Sequence, residues 1–272
     1  MTVAEQAPLS KIVESAITAL KRKVPYLVIR LGDGEALALE SVGHPAATDV
    51  FNVPWNKHTG MIPSDSEKQQ WIGMVRKSVQ VSDFVGLHAS DSRQEQSIKD
   101  SGNKLRHLLS DCKFTECSAN IHLELLRGKH FEALIDACEG VHLVTGHDLV
   151  KPFVKVFGLK RALPVHWTKI PKQCWYFKDR TSWQTWKDVI IPGIGMLPLS
   201  PGWLFLVGGG VPGKAMFSVL KSRGGVVLDI GSVCDFWAGY LTRGKGKGPG
   251  VICSAHVLDK RSVAAKTAEP DR

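Results

Sequence analysis

An α/β fold, with a Rossmann-like and mostly parallel sheet flanked by helices, is the architecture this sequence predicts, and three observations predict it. Short apolar runs alternate with amphipathic helical stretches along most of the chain. The two motifs richest in chemistry follow such runs, at the carboxyl ends of strands, where folds of this class place ligands. At 272 residues, 43% of them hydrophobic, the chain can bury a sizeable core. The reading is one α/β domain over 1–259, followed by a polar stretch, 260–272, that offers no periodic apolar face and is expected to be disordered.

The elements follow in order. Ile12, Val13, Ala16, Ile17 and Leu20 recur at helical spacing behind Ser10, a candidate N-cap, and predict an opening amphipathic helix. Pro25 ends it, Tyr26–Leu31 reads as a buried strand, and Gly32–Glu35 supply turn chemistry before a helix in EALALES. Residues 41–63 read as irregular. Ser64 and Glu67 form a capping box that opens a helix carrying Trp71, Met74 and Val75. Asp83–His88 reads as a strand, 91–138 as two or three helical stretches, and Val141–Gly146 as a strand running into His147 and Asp148. The 160–202 stretch is rich in Trp and Pro, and Trp183 and Trp186, three apart on a short helix over 182–190, read as packing partners rather than sugar platforms. The last block reads as a strand (203–207), a loop (Gly208–Lys214), a helix (214–223), a strand (226–230) and a helix around Asp235–Tyr240.

Composition narrows the class. No run of 18 apolar residues occurs, and the first residues lack the basic-then-apolar order of a signal peptide, so a cytoplasmic protein is expected. Six scattered cysteines without a CxxC pair signal neither zinc nor a disulfide framework. Residues 1–140 carry 16 basic and 18 acidic groups, whereas 141–272 carry 19 and 8. The second half therefore faces something anionic: a nucleotide diphosphate, a phospholipid surface or nucleic acid. No helix-turn-helix, zinc-finger or aromatic RNP pattern is present, so nucleic acid is not expected as a partner; a peripheral contact with the inner membrane is compatible with the basic half.

Three constellations carry the chemistry. Gly208, Gly210 and Gly213 match G-x-G-x-x-G after a strand, with Asp229 about 20 residues on, which admits a dinucleotide-dependent oxidoreductase; the same loop nearly matches a P-loop, but Ala215 stands where a magnesium-binding Ser or Thr belongs. With Gly209 and Lys214 the stretch predicts a phosphate or diphosphate site. In Arg30-Leu-Gly-Asp-Gly-Glu35, Asp33 and Glu35 can either face one divalent cation, with Arg30 balancing charge, or cap and complement the next helix. Asp229, Ser232 and Asp235 cluster at the last strand end, ahead of a basic run with Arg243 that can close over a phosphorylated ligand. His88 and His147 also end strands and read more readily as structural than as catalytic.

The R-x-G-D-G-E motif at 30–35, together with GGGVPGKAMFSVLKSRGGVVLDIGSVCDFWAGYLTRG at 208–244, resembles the GT-D-type glycosyltransferases. The resemblance implies a nucleotide-sugar donor, often a UDP-sugar, and a glycan or lipid-linked acceptor. It implies Mn2+ or Mg2+ on a D-x-E motif at Asp33 and Glu35. Arg30, Gly208–Gly210, Gly213, Lys214, Ser232 and Arg243 would lie near the donor diphosphate, and Asp235, or failing it Asp229, would serve as the base. A non-catalytic module that binds anions or nucleic acid is the third class left open.

Overall fold

Among the described residues, seven strands, β1 (Tyr26–Arg30), β2 (Phe84–Leu87), β3 (Glu116–Ser118), β4 (Gly140–Thr145), β5 (Val165–Lys169), β6 (Trp203–Gly208) and β7 (Val226–Asp229), form one all-parallel sheet in the order β3-β2-β1-β7-β6-β4-β5. The computed structural model describes residues 6–44, 46, 49–89, 96–159, 163–197 and 201–240; Arg243, its basic run and the 260–272 stretch lie outside the described residues.

Alternate strand side chains point to opposite faces, and both faces are covered, so the strands read as nearly continuous apolar runs. Tyr26, Val28, Leu143, Leu206 and Leu228 meet helices α1 (Leu9–Arg22), α6 (Ile121–Arg127), α7 (His130–Ala137), α8 (Val150–Val156) and α14 (Val233–Trp237). Leu27, Ile29, Val85, Val207 and Val227 meet α2 (Asp33–Glu40), α3 (Val53–Thr59), α4 (Asp65–Gln80), α5 (Gln96–Leu108), α11 (Ile191–Gly195) and α13 (Phe217–Ser222). Trp183 and Trp186 belong to this second layer, 2% and 1% exposed. No helix among the described residues is long and apolar enough to cross a membrane.

The predicted α/β order holds, with local corrections. The first helix is capped at Pro8, so Ser10 lies inside its first turn. The Ser64 and Glu67 capping box forms as expected, Ser64 accepting the Glu67 N–H and Glu67 Oε2 accepting the Ser64 N–H at 2.8 Å. The stretch read as irregular contains a 3₁₀ turn (Val50–Asn52) and α3, whose proline sits at the helix start where no N–H is needed. Strands β3 and β5 were not predicted: β3 is three residues long, and the β5 sequence, VHWTK, has few apolar residues because the strand sits at a sheet edge. Gly208–Lys214 is not an open loop but a helical turn, α12 (Gly210–Gly213), running through a 3₁₀ turn (Lys214–Met216) into α13. Between 182 and 195 a short α10 (Trp183–Thr185) continues as a π-helical turn (Trp186–Ile190) and then α11.

Candidate active site

Residues at or just beyond the carboxyl ends of all seven strands line one cleft with a cavity volume of about 220 Å³. This is the edge at which parallel sheets collect ligands, because the strand-to-helix turns converge there.

At the end of β1, Gly32 caps α2, Asp33 is its first residue and Glu35 its third. Glu35 Oε2 accepts the Gly32 N–H at 2.8 Å, and its Oε1 lies 3.6 Å from Lys214 Nζ. Burial opposes ionisation of Glu35, but Lys214, the Gly32 N–H and His58 outweigh it and hold the carboxyl below its ordinary value. Asp33 is exposed at the cleft. Asp33 and Glu35 both line the cleft, and the nearby Asp33 charge works against ionisation of Glu35.

Lys214 is 5% exposed, and its ammonium donates to Asp229 Oδ2, which also accepts the Arg30 N–H at 3.1 Å. The Phe217 ring centroid lies 5.8 Å from that ammonium. Lys214 is thus neutralised internally by Asp229 and Glu35 rather than extended as an isolated cation. Asp229, 3% exposed and committed to Lys214 and Arg30, is not placed to hold a nucleotide ribose as the dinucleotide reading requires. The interrupted helix after β6 departs from that reading too.

The consecutive glycines answer to close internal packing. A Cβ on Gly208 would stand 2.7 Å from Cys234 Sγ, and one on Gly209 would stand 2.8 Å from Met216 Cε. Gly210 combines φ +59° with a Cβ position 2.4 Å from His58 Nδ1. These contacts draw α12 against α3 and the end of β6 against α14. Trp71 locks the arrangement by donating Nε1–H to the Val211 carbonyl at 3.1 Å, with Trp55 packed edge-on against it at 5.0 Å.

Across the cleft, His147 Nε2 lies 3.1 Å from Asp235 Oδ1. The imidazole is 6% exposed, stacked on Tyr240 at 5.1 Å and edge-on to Phe177 at 5.0 Å, so its orientation is fixed. Asp235, in the first turn of α14, keeps 22% of its side chain exposed. Ser232 lines the cleft beside it without a side-chain capping bond. Arg30 also lines the cleft and is tethered by its Nε–H to the Ala119 carbonyl at 2.8 Å.

Arg30, Asp33, Glu35, Gly208, Gly209, Gly210, Lys214, Ser232 and Asp235 therefore share one cleft, while Gly213 and Asp229 support it from behind. Lys57, His58, Asn120 and Lys172 line it as well and were not singled out for it from sequence. Lys172 lies in the 160–202 stretch rich in Trp and Pro; Lys57 and His58 fall in 41–63, where no periodic pattern marks the helix. Among the described residues, no three His, Cys, Asp or Glu side chains are grouped to hold a metal ion. For a hard divalent cation the donor set fits one arrangement: the Asp33 carboxylate with remaining oxygens from a bound phosphate and water, as magnesium accepts. Both Glu35 oxygens already face protein donors. The five described cysteines are free and buried.

A family model described as a GT-D fold-like domain matches residues 8–148, just over half of the chain. The matched span contains α1 through β4 and the Arg30–Glu35 motif; the glycine-rich turn and Asp229–Asp235 lie beyond it. No curated protein and no solved structure matches the chain.

Proposed function

The chain belongs to the GT-D fold-like domain family, and from that premise we propose that it is a glycosyltransferase moving a sugar from a nucleotide-sugar donor, a UDP-sugar, to a glycan, lipid-linked or protein-linked acceptor. The observation that carries the reading is the Asp235–His147 pair facing the same cleft as Asp33 and the cationic groups of Arg30, Lys57 and Lys172.

Sugar transfer needs a base at the acceptor hydroxyl and positive charge at the departing diphosphate. Asp235 takes the acceptor proton, and His147 holds its carboxylate in place. Arg30, Lys57, Lys172 and the Gly209–Gly210 backbone receive the diphosphate, while Lys214 acts one layer behind by fixing Glu35 and Asp229. Asp33 would hold a divalent cation, Mn2+ or Mg2+, which when bound adds Lewis-acid stabilisation of the leaving group. Ser232 borders the donor side.

Calorimetric titration with UDP, with and without manganese, tests the reading. Binding that tightens with manganese in the wild type and loses that response in Asp33→Ala is expected, together with consumption of a UDP-sugar by the wild type. Absence of binding to UDP and to every other nucleoside diphosphate would overturn it.

A further inference from the structure

The lip of the cleft formed by α3 and the 169–181 segment carries surface features that nucleotide binding does not use. The segment leaves the end of β5, passes through the single helical turn α9 (Cys174–Phe177), and is fastened to α3 by the Thr181 N–H on the Thr59 carbonyl at 2.9 Å and Arg180 Nη2 on the Gly60 carbonyl at 3.1 Å. Both partners of this lip also line the cleft, through Val53, Lys57 and His58 on one side and Pro171–Gln173 on the other.

Its outer surface is apolar and cationic together. Trp175 is 53% exposed and Met61, next to Gly60, 46%. In the same segment as Trp175, Lys169, Lys178 and Arg180 are exposed. The acid of the segment, Asp179, is turned inward to accept the Lys172 backbone N–H at 3.0 Å. A half-exposed indole in one short segment with three exposed Lys and Arg side chains is the chemistry of a bilayer interface, where indole sits at headgroup level and cations meet anionic lipid.

We infer that this lip seats on an anionic membrane surface, with Trp175 inserted at the headgroup level and Lys169, Lys178 and Arg180 against lipid phosphates. The cleft opens beside the contact. This inference rests on the glycosyltransferase reading only for its consequence, that the acceptor is met at the membrane and is lipid-linked; the contact itself stands on the lip.

The test is co-sedimentation of the full chain with vesicles of phosphatidylcholine alone and of an equal mixture of phosphatidylcholine and phosphatidylglycerol, with UDP calorimetry on the same preparations. The wild type is expected to sediment with the anionic vesicles and not with the neutral ones. Trp175→Ala should weaken that binding several-fold, and the double variant K169Q/K178Q by about fivefold for each charge removed, while all variants keep the wild-type response to UDP. Failure to sediment with anionic vesicles overturns the inference, as does binding indifferent to Trp175 and matched by a soluble polyanion such as heparin, which would mark a polyanion site. Loss of UDP binding with vesicle binding intact would overturn the donor reading and leave the membrane contact standing.

Discussion

Lys214 and Asp229 form a buried ion pair that ties the end of the glycine-rich turn to the end of β7, and through Glu35 Oε1, 3.6 Å from the same ammonium, to the first turn of α2. One lysine thereby joins both acidic motifs beside the cleft.

Replacing Lys214 with Met should cost about 3–5 kcal/mol, because two buried carboxylates then lack a counter-charge. Urea unfolding measures it. The double variant with Asp229→Asn should lose less than the two single variants added together, since the partner left behind no longer carries charge.

Acid should weaken the fold in two stages. Burial, with His166 nearby, lowers the His142 pKa from 6.5 to about 4, so the folded state resists its protonation; the associated stability is complete above 6.5 and declines as pH falls toward 4. Glu35, held below its ordinary 4.5, contributes stability above that value that is lost as pH falls through its lower folded value. Thermal midpoints across this range should fall less steeply for His142→Gln in the first stage and for Glu35→Gln in the second.

Gly210→Ala should destabilise by about 1–2 kcal/mol from its left-handed backbone alone, and further because the new methyl meets His58 Nδ1, 2.4 Å from its ideal position. Denaturation midpoints give the first effect. Weaker UDP binding would report the displacement of His58 from the cleft wall.

If Asp235 is the base, Asp235→Asn should lower sugar transfer by about 10²–10⁴-fold while leaving UDP affinity near wild type. His147→Gln, which can still hydrogen-bond the carboxylate, should cost less than His147→Ala. Equal transfer rates in wild type and Asp235→Asn would assign the proton to another group.

Much of this architecture is legible in the chain. Ser64 and Glu67 announce α4 through a purely local hydrogen-bonding pattern, and the buried strands announce themselves because a parallel sheet covered on both faces needs unbroken apolar runs. The R-x-G-D-G-E motif is equally readable, being contiguous. What escapes is long-range. His147 and Asp235 stand 88 positions apart in sequence, and nothing local to either names the other. The same limit hides Lys214's partners: glycines beside a lysine suggest a phosphate cradle, whereas three-dimensional packing turns the lysine toward Asp229 and fills the Cβ positions of the glycines with Cys234, Met216 and His58. Strand β5 escapes because an edge strand is under less pressure to be apolar.

The central pairing of β1 with β7 also sets a schedule. Arg30 and Asp229 meet across 199 positions, so a chain emerging from the ribosome completes β1 long before its neighbour exists. Until then the backbone groups of Tyr26, Val28 and Arg30 that face β7 form an open strand edge, the surface on which unfinished chains associate with one another. The cleft is correspondingly late: its floor closes only when β7 docks, and a chain truncated before Val226 would have neither a complete sheet nor a place for its ligand.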